Sequence, residues 1–420
     1  MITVIGLDGS PLSPTASAAV ATATLVAGGR RQLAAVPAAS GTPTVVLGEL
    51  APALDALAAH DGDAVVLASG DPGFFGIVRA LRQHGLAPVV LPAVSSVSLA
   101  FARAGLPWDD ALVVSAHGRD LRPAVNVCRA HPKVAVLTGP GAGPADIGAA
   151  LTGWDRRLIV CEQLGGDGER VTACSPASAG TRSWPDPNVV LVLADGPGRT
   201  DGPDLAAGPD REGPGWEGLG WSWPRSPVPP GWALPEEEFD CQGAVITKAE
   251  VRGLALARLG PGPGRLIWDV GAGAGSVAVE CARFGAAVIA VERDERRCAL
   301  VRANARRHRV DVRVVAGQAP AALAGLPAPD AAFIGGGGPA AVAAVAARQP
   351  ARVVAALAAA ERVGPAHAAL AAAGYQVQGT LVQAARLAPL PGGVHRLSAV
   401  NPVFLLWAHP AAPGQNRGPA

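Results

Sequence analysis

The residues best suited to chemistry lie in one short stretch, Leu266-Ile267-Trp268-Asp269-Val270-Gly271-Ala272-Gly273-Ala274-Gly275-Ser276. An apolar run enters it, three alternating glycines follow, and a helical pattern leaves it. That order predicts a strand, a tight turn and a helix N-terminus. Glycine has no Cβ and reaches positive φ freely, so such a turn lets a ligand approach bare backbone. Twenty-one residues after Gly271, at the end of the next apolar run (Ala286 to Val291), comes Glu292. A carboxylate at that place can accept both hydroxyls of a ribose.

Three ligands compete for a turn of this kind. A nicotinamide or flavin dinucleotide normally uses G-x-G-x-x-G, with helix amides facing a pyrophosphate. Here the spacing is G-x-G-x-G, and an acid, Asp269, precedes it. A P-loop needs Lys and then Ser or Thr after its last glycine, and that pair does not follow Gly275. S-adenosylmethionine carries no phosphate. It needs a turn against adenosine, an acid on the ribose and polar groups near its amino-acid end. Gly271, Gly273, Gly275, Glu292 and the later Gly317-Gln318-Ala319 match that third pattern. A purely structural glycine turn is the remaining alternative.

The elements that must position these residues read as follows. Residues 1–195 alternate short β-rich runs with Ala-rich helical runs: strand Ile2–Ile5, helix Pro14–Gly28, strand Thr44–Leu47, helix Ala51–Ala59, strand Ala64–Ala68. That last strand ends in Ser69-Gly70-Asp71-Pro72-Gly73, ahead of helix Phe74–His84. Strand Val89–Leu91 leads into Pro92-Ala93-Val94-Ser95-Ser96 and helix Val97–Ala104. Further strands are expected at Leu112–Ser115, Val134–Leu137, Leu158–Val160 and Val189–Leu193. Such alternation predicts a mainly parallel sheet covered by helices. From 196 to 235 Gly and Pro dominate around Trp216, Trp221, Trp223 and Trp232, which reads as a linker partly packed on a domain surface. Residues 236–409 form a second β/α unit. Its amphipathic helix Lys248–Leu259 has Val251, Leu254, Ala255 and Leu259 on one face. Strands follow at Ala286–Val291, Val312–Val315, Ala331–Ile334, Arg352–Leu357 and Tyr375–Val382, with a last, antiparallel one at Val400–Trp407. The tail 410–420 is expected to be disordered. The fold class is therefore α/β, with two different α/β domains.

Composition excludes several classes. At 420 residues the chain suits two or three domains, and 49% hydrophobic residues is ample for sizeable cores. The formal net charge of +1 gives no global field to recruit nucleic acid or an anionic membrane. Only Lys133 and Lys248 are lysines, so the basic charge is almost all arginine and arginine abundance carries little weight. The six cysteines are scattered without metal-ligand spacing, so no metal is expected and a reducing cytoplasm suits them. No signal peptide is apparent in the N-terminal residues. No run of about twenty uninterrupted apolar residues suggests a membrane span.

Many motifs then co-occur in order. Residues 236–409 resemble the decarboxylating precorrin methyltransferase domain of cobalamin biosynthesis. The resemblance rests on Pro235-Glu-Glu-Glu-Phe239, Ile246-Thr247-Lys248-Ala-Glu250-Val-Arg252, the stretch 268–276, Val291-Glu292-Arg293-Asp294, Gly317-Gln-Ala-Pro320, Asp330-Ala-Ala-Phe-Ile-Gly-Gly336 and Asn401-Pro-Val403. Residues 1–195 resemble the tetrapyrrole (corrin/porphyrin) methylases, through Val4-Ile-Gly6, Ala68-Ser-Gly-Asp-Pro-Gly-Phe-Phe-Gly76, Pro92-Ala-Val-Ser-Ser96, Leu106-Pro-Trp-Asp109 and His117-Gly-Arg119. The order of the halves is similar to the bifunctional, decarboxylating precorrin C5,15-methyltransferase family. The usual Gly-x-Gly-Pro-Gly of the first turn is here Gly6-Leu7-Asp8-Gly9-Ser10, Gln318 stands where an aspartate is more usual, and Ile246 replaces a methionine.

The resemblance implies two methylations from S-adenosylmethionine, at carbon 5 by the N-terminal half and carbon 15 by the C-terminal half, with loss of carbon dioxide from an acetate arm. It implies donor contacts from Gly271, Gly273 and Gly275, from Glu292 on the ribose, and from Gln318 with Ala319 on the adenine. Thr247 is the expected N-cap of its helix and a possible donor contact. In the N-terminal half the donor candidates are Gly70, Asp71, Ser95 and Ser96, just after strands, where such folds bind ligands. A precorrin carries many carboxylates, so Lys248, Arg252 and Arg119, with His117, are candidate substrate-facing groups. Plain capping, surface charge and a structural histidine are the alternatives for these residues. Homo-oligomers are expected. The competing functions are methylation of another tetrapyrrole or small molecule, and an N-terminal half serving as a degenerate binding module.

Overall fold

Short β-branched runs and Ala-rich helices assemble into two compact α/β units. The computed structural model describes residues 1–195, 231–241 and 246–411; most of the expected linker and tail lies outside the described residues. One unit holds residues 1–120 and 133–195, and the other holds 121–132 with 231–241 and 246–411.

The first unit contains two sheets. One is parallel and five-stranded, in the spatial order Thr44–Val46, Leu25–Gly28, Ala64–Ser69, Ile2–Leu7, Val89–Leu91. Its first connecting helix is Pro14–Thr22, not Pro14–Gly28. Leu25–Gly28 is a fully buried strand paired on both sides. Its four small or apolar residues are too few for a period to tell strand from helix, and burial between neighbours decides. The second sheet runs Leu112–Ser115, Lys133–Leu137, Asn188–Ala194, Arg156–Glu162, Arg170–Cys174. Only its first pair is parallel; the other three are antiparallel. The expectation of one mainly parallel sheet is corrected to this pair of sheets. Alternation of elements does not reveal strand direction when the late connections are short.

The second unit is built on a seven-stranded sheet ordered Arg313–Ala316, Ala287–Glu292, Leu266–Val270, Ala331–Ile334, Arg352–Leu357, Val403–Pro410, Tyr375–Val382. The first five strands are parallel; Val403–Pro410 is antiparallel to both its neighbours, so Tyr375–Val382 runs with the first five. Strand order reverses beside Leu266–Val270, the kind of switch point where loops part and ligands bind. Leu266–Val270 and Ala287–Glu292 are buried along their whole length, as strands covered on both faces are. Ile267, Val277, Val288, Val301 and Phe333 share one core cluster with Val251 and Leu259 of the helix Ala249–Leu259. A hairpin, Ala385–Pro389 with His395–Ala399, forms a separate two-stranded sheet. Among the described residues, no helix is long and apolar enough to cross a membrane.

Candidate functional site

In the second unit three loops follow the C-terminal ends of three adjacent parallel strands. The first holds Gly271, Gly273 and Gly275 with φ of 75°, 60° and 77°, the left-handed region that only glycine enters cheaply. A Cβ on Gly271 would sit 2.7 Å from the Gly336 nitrogen, so this loop lies against the one after Ala331–Ile334. Gly275 caps the helix Ser276–Arg283, and a Cβ there would meet Val301 at 2.8 Å. The second loop begins at Glu292, which is 4% exposed. One carboxylate oxygen accepts from the Gly273 amide at 2.9 Å. The other accepts from the Arg293 and Asp294 amides at 3.0 and 3.1 Å. The Gly317 amide donates to the Glu292 carbonyl, which ties the third loop to the second. Gln318 there is exposed and Ala319 half-buried.

Asp269, on the strand just below the turn, is the functional candidate that motif reading passed over. One of its oxygens accepts from the Ala278 amide at 2.9 Å. The other is buried and has no hydrogen-bond partner among the described residues. Burial pushes the carboxyl up to about 7, opposed by the Ala278 bond and reinforced by the nearby Glu292 charge. The signal in the sequence was its position immediately before the glycines.

The flank at Thr247 and Lys248 differs from expectation. Lys248, not Thr247, is the N-cap of helix Ala249–Leu259, and it makes no side-chain cap bond. The first free amide, Ala249, donates instead to Glu236, from the segment preceding the helix, at 2.8 Å. Arg386 of the hairpin grips both Glu236 and Glu250, and this holds the Glu236 carboxyl down at about 2. Both Thr247 and Lys248 are half-buried.

Arg252 is corrected from a substrate anchor to a structural ion. It is fully buried. Its Nε donates to Glu280 at 2.5 Å, and its remaining nitrogens donate to the Thr247 and Leu234 carbonyls. The Phe239 ring lies 4.8 Å from its guanidinium carbon. Glu280 also takes the Ala233 and Leu234 amides. The pair therefore clips residues 231–239 onto two helices, and full burial keeps Arg252 from a ligand. Trp232, from the end of the expected linker, packs beside Phe284 at 6.3 Å.

In the first unit, Gly70, Asp71, Ser95 and Ser96 are brought together. A Cβ on Gly6 would collide with the Gly70 carbonyl oxygen and lie 2.6 Å from the Ala93 nitrogen, so two post-strand loops converge on the end of the first strand. Asp71 accepts from the Gly73 amide at 2.8 Å. Ser95 caps the helix Ser96–Ala104 by accepting from the Ser98 amide. The altered first turn explains itself here. Asp8 accepts from the Ser10 amide and hydroxyl and from the Val94 amide across the cleft. Chiefly the Ser10 bonds hold its carboxyl below the usual range. Gly9 and Gly165 pack backbone to backbone, which joins this loop to the second sheet. His117 and Arg119, both exposed, come from the loop after Leu112–Ser115. A carbonyl only accepts, so the 3.1 Å contact of His117 Nδ1 with the Thr138 carbonyl assigns a proton to Nδ1 and turns the Nε2 edge away from that bond.

Two family descriptions match the chain, one in each half. Residues 5–179 match the tetrapyrrole (corrin/porphyrin) methylases, and residues 237–409 the precorrin methyltransferase domain. Fold, turns and matches define a two-domain tetrapyrrole methyltransferase. A precorrin-6Y C(5,15)-methyltransferase (decarboxylating) from Sinorhizobium sp is 40% identical over 357 residues, covering 80% of this chain and 78% of that protein. A cobalt-precorrin-7 C(5)-methyltransferase from Salmonella typhimurium is 33% identical, covering 46% of this chain and 98% of its own. A probable cobalt-precorrin-6B C(15)-methyltransferase (decarboxylating) from Pyrobaculum calidifontis is 38% identical, covering 42% of this chain and 95% of its own. The chain belongs to the precorrin-6Y C5,15-methyltransferase (decarboxylating) family.

Proposed function

We propose that this chain methylates a precorrin at carbons 5 and 15 and removes the acetate carboxyl at carbon 12 as carbon dioxide, a step of cobalamin biosynthesis. The observation that carries the reading is similarity along 80% of the chain to a relative named for both methylations. The N-terminal unit is assigned carbon 5, and the C-terminal unit carbon 15 with decarboxylation. The two shorter relatives, each named for one position, support such a division.

The residues present fit S-adenosylmethionine. The glycine turn has no room for side chains at Gly271 or Gly275, so backbone lines the place assigned to the donor. Glu292 offers about four acceptor positions, of which amides occupy three. The fourth suits a ribose hydroxyl. The exposed Gln318 amide and the Ala319 backbone are assigned to the adenine. The free oxygen of Asp269 is a buried acceptor for a cationic or N–H group. Thr247 and Lys248 are assigned to the edge of this site. In the first unit Gly70, Asp71, Ser95 and Ser96 are the donor contacts.

When bound, the donor supplies an already activated methyl group. The protein's residues then mainly align and exclude water. The nucleophile is an electron-rich carbon of the macrocycle, so no Ser or Cys nucleophile is required. His117 Nε2 can hold a proton leaving the macrocycle. Arg119 and Lys248 remain as candidate partners for its carboxylates. Calorimetric titration of the full chain with donor tests the two-site form. Two sites per chain agree with it; saturation at one removes it.

A further inference from the structure

The loop Asp71–Gly76 carries a feature that neither donor contacts nor core packing accounts for. Phe75 has φ of 56°. A bulky residue in that region is an outlier, and strain of this kind persists where the surroundings require it. Glycines stand nearby on both sides, at Gly73 and Gly76, so glycine was available for the turn. The strain does not serve burial either: Phe74 and Phe75 are 36% and 39% exposed. Their rings meet edge to face at 4.9 Å, which presents two aromatic surfaces at an angle. The loop itself is tightly closed, since a Cβ on Gly76 would collide with the Pro72 carbonyl oxygen.

Above Phe75, at 5.7 Å from its ring centre, lies the guanidinium carbon of Arg119. Arg119 comes from the loop after the first strand of the second sheet of the same unit and is exposed; among the described residues it has no ion pair. An aromatic ring from one sheet and an unneutralised cation from the other therefore meet beside Gly70 and Asp71.

We propose that Phe74, Phe75 and Arg119 form the macrocycle platform of the N-terminal unit. The Phe75 ring takes the flat conjugated face of the precorrin and Arg119 takes one of its peripheral carboxylates. The strained backbone holds the ring out from the loop next to the donor turn. Phe75 is thus a substrate-positioning residue for methylation at carbon 5. This inference rests on the assignment of carbon 5 to this unit.

The test uses the full chain, precorrin-6B and a donor labelled with carbon-13 in its methyl group, so that methyls at carbons 5 and 15 are resolved by NMR. Phe75→Gly should raise the precorrin KM for carbon 5 by about tenfold, with the donor affinity of that unit and the carbon 15 reaction unchanged. Its melting temperature should not fall, because glycine accepts the positive φ. Phe75→Tyr should restore the KM, and Arg119→Gln should weaken precorrin binding in the same reaction. A wild-type KM at carbon 5 in Phe75→Gly, or a loss confined to carbon 15, would overturn the platform. If the unaltered chain methylates neither carbon, the functional reading itself falls, which is a different result from either of these.

Discussion

The Gly273 amide donates to the Glu292 carboxylate at 2.9 Å, so the glycine turn and the following acid are one hydrogen-bonded unit. Glu292 therefore has two tasks, holding the turn and offering an acceptor to the donor, and substitutions separate them. Glu292→Gln keeps the size but turns one acceptor oxygen into an NH2 that cannot accept, so it should weaken donor binding in the C-terminal unit by tenfold or so, about 1.4 kcal/mol, with a smaller loss of stability than full truncation. Glu292→Ala strands three amides and should also lower stability, by roughly 2–3 kcal/mol. Calorimetry and denaturant unfolding read the two effects. Equal donor affinity in Glu292→Gln would exclude the ribose role.

Gly271 should not tolerate alanine. Its φ is 75°, and a Cβ would press on Gly336 backbone that has nowhere to go. We expect Gly271→Ala to cost about 2 kcal/mol or more and to abolish donor binding in that unit. Gly338 is the control, with φ of 66° and no neighbouring atom within 4 Å of where an alanine methyl would sit. Gly338→Ala should cost about 1 kcal/mol. Thermal unfolding of both variants checks the contrast.

Asp269 predicts a pH dependence. Its folded value, about 7, lies above its usual 3.8 because burial disfavours the charged form. The folded state therefore binds the proton more tightly than the unfolded state. The stabilisation is complete below about 4 and is lost as pH rises through 7. Between pH 5 and 8 this group alone should lower stability by roughly 3 kcal/mol. Asp269→Asn should flatten that slope in urea unfolding. An unchanged slope would contradict the assignment.

Arg252 and Glu280 should matter to folding and not to recognition. Both are fully buried, at 2.5 Å from each other. Leaving one buried charge unpaired costs about 3–5 kcal/mol, so Glu280→Gln should unfold at a clearly lower temperature. In the fraction that remains folded, the precorrin KM should be that of the unaltered chain. A raised KM with unchanged stability would return Arg252 to the substrate.

What the sequence disclosed follows from where local patterns decide structure. Strand, turn and helix around Gly271 were legible, because apolar runs and alternating glycines are local signals. So were the place of Glu292 at the end of the next strand and the antiparallel last strand. Burial was not legible for Arg252, since its partner Glu280 lies 28 residues away on another helix. The cap supplied by Glu236 in place of Thr247 is equally non-local. The Leu25–Gly28 strand merged with a helix because four residues carry no period. Asp8 read as a departure from the usual turn, and only its bond to Val94 gives it a use.

The central claim is that one chain performs two methylations and a decarboxylation. Mass spectrometry of precorrin-6B incubated with the full chain and S-adenosylmethionine tests it most directly. The predicted product has gained two methyl groups and lost carbon dioxide. An unchanged precorrin would contradict the claim.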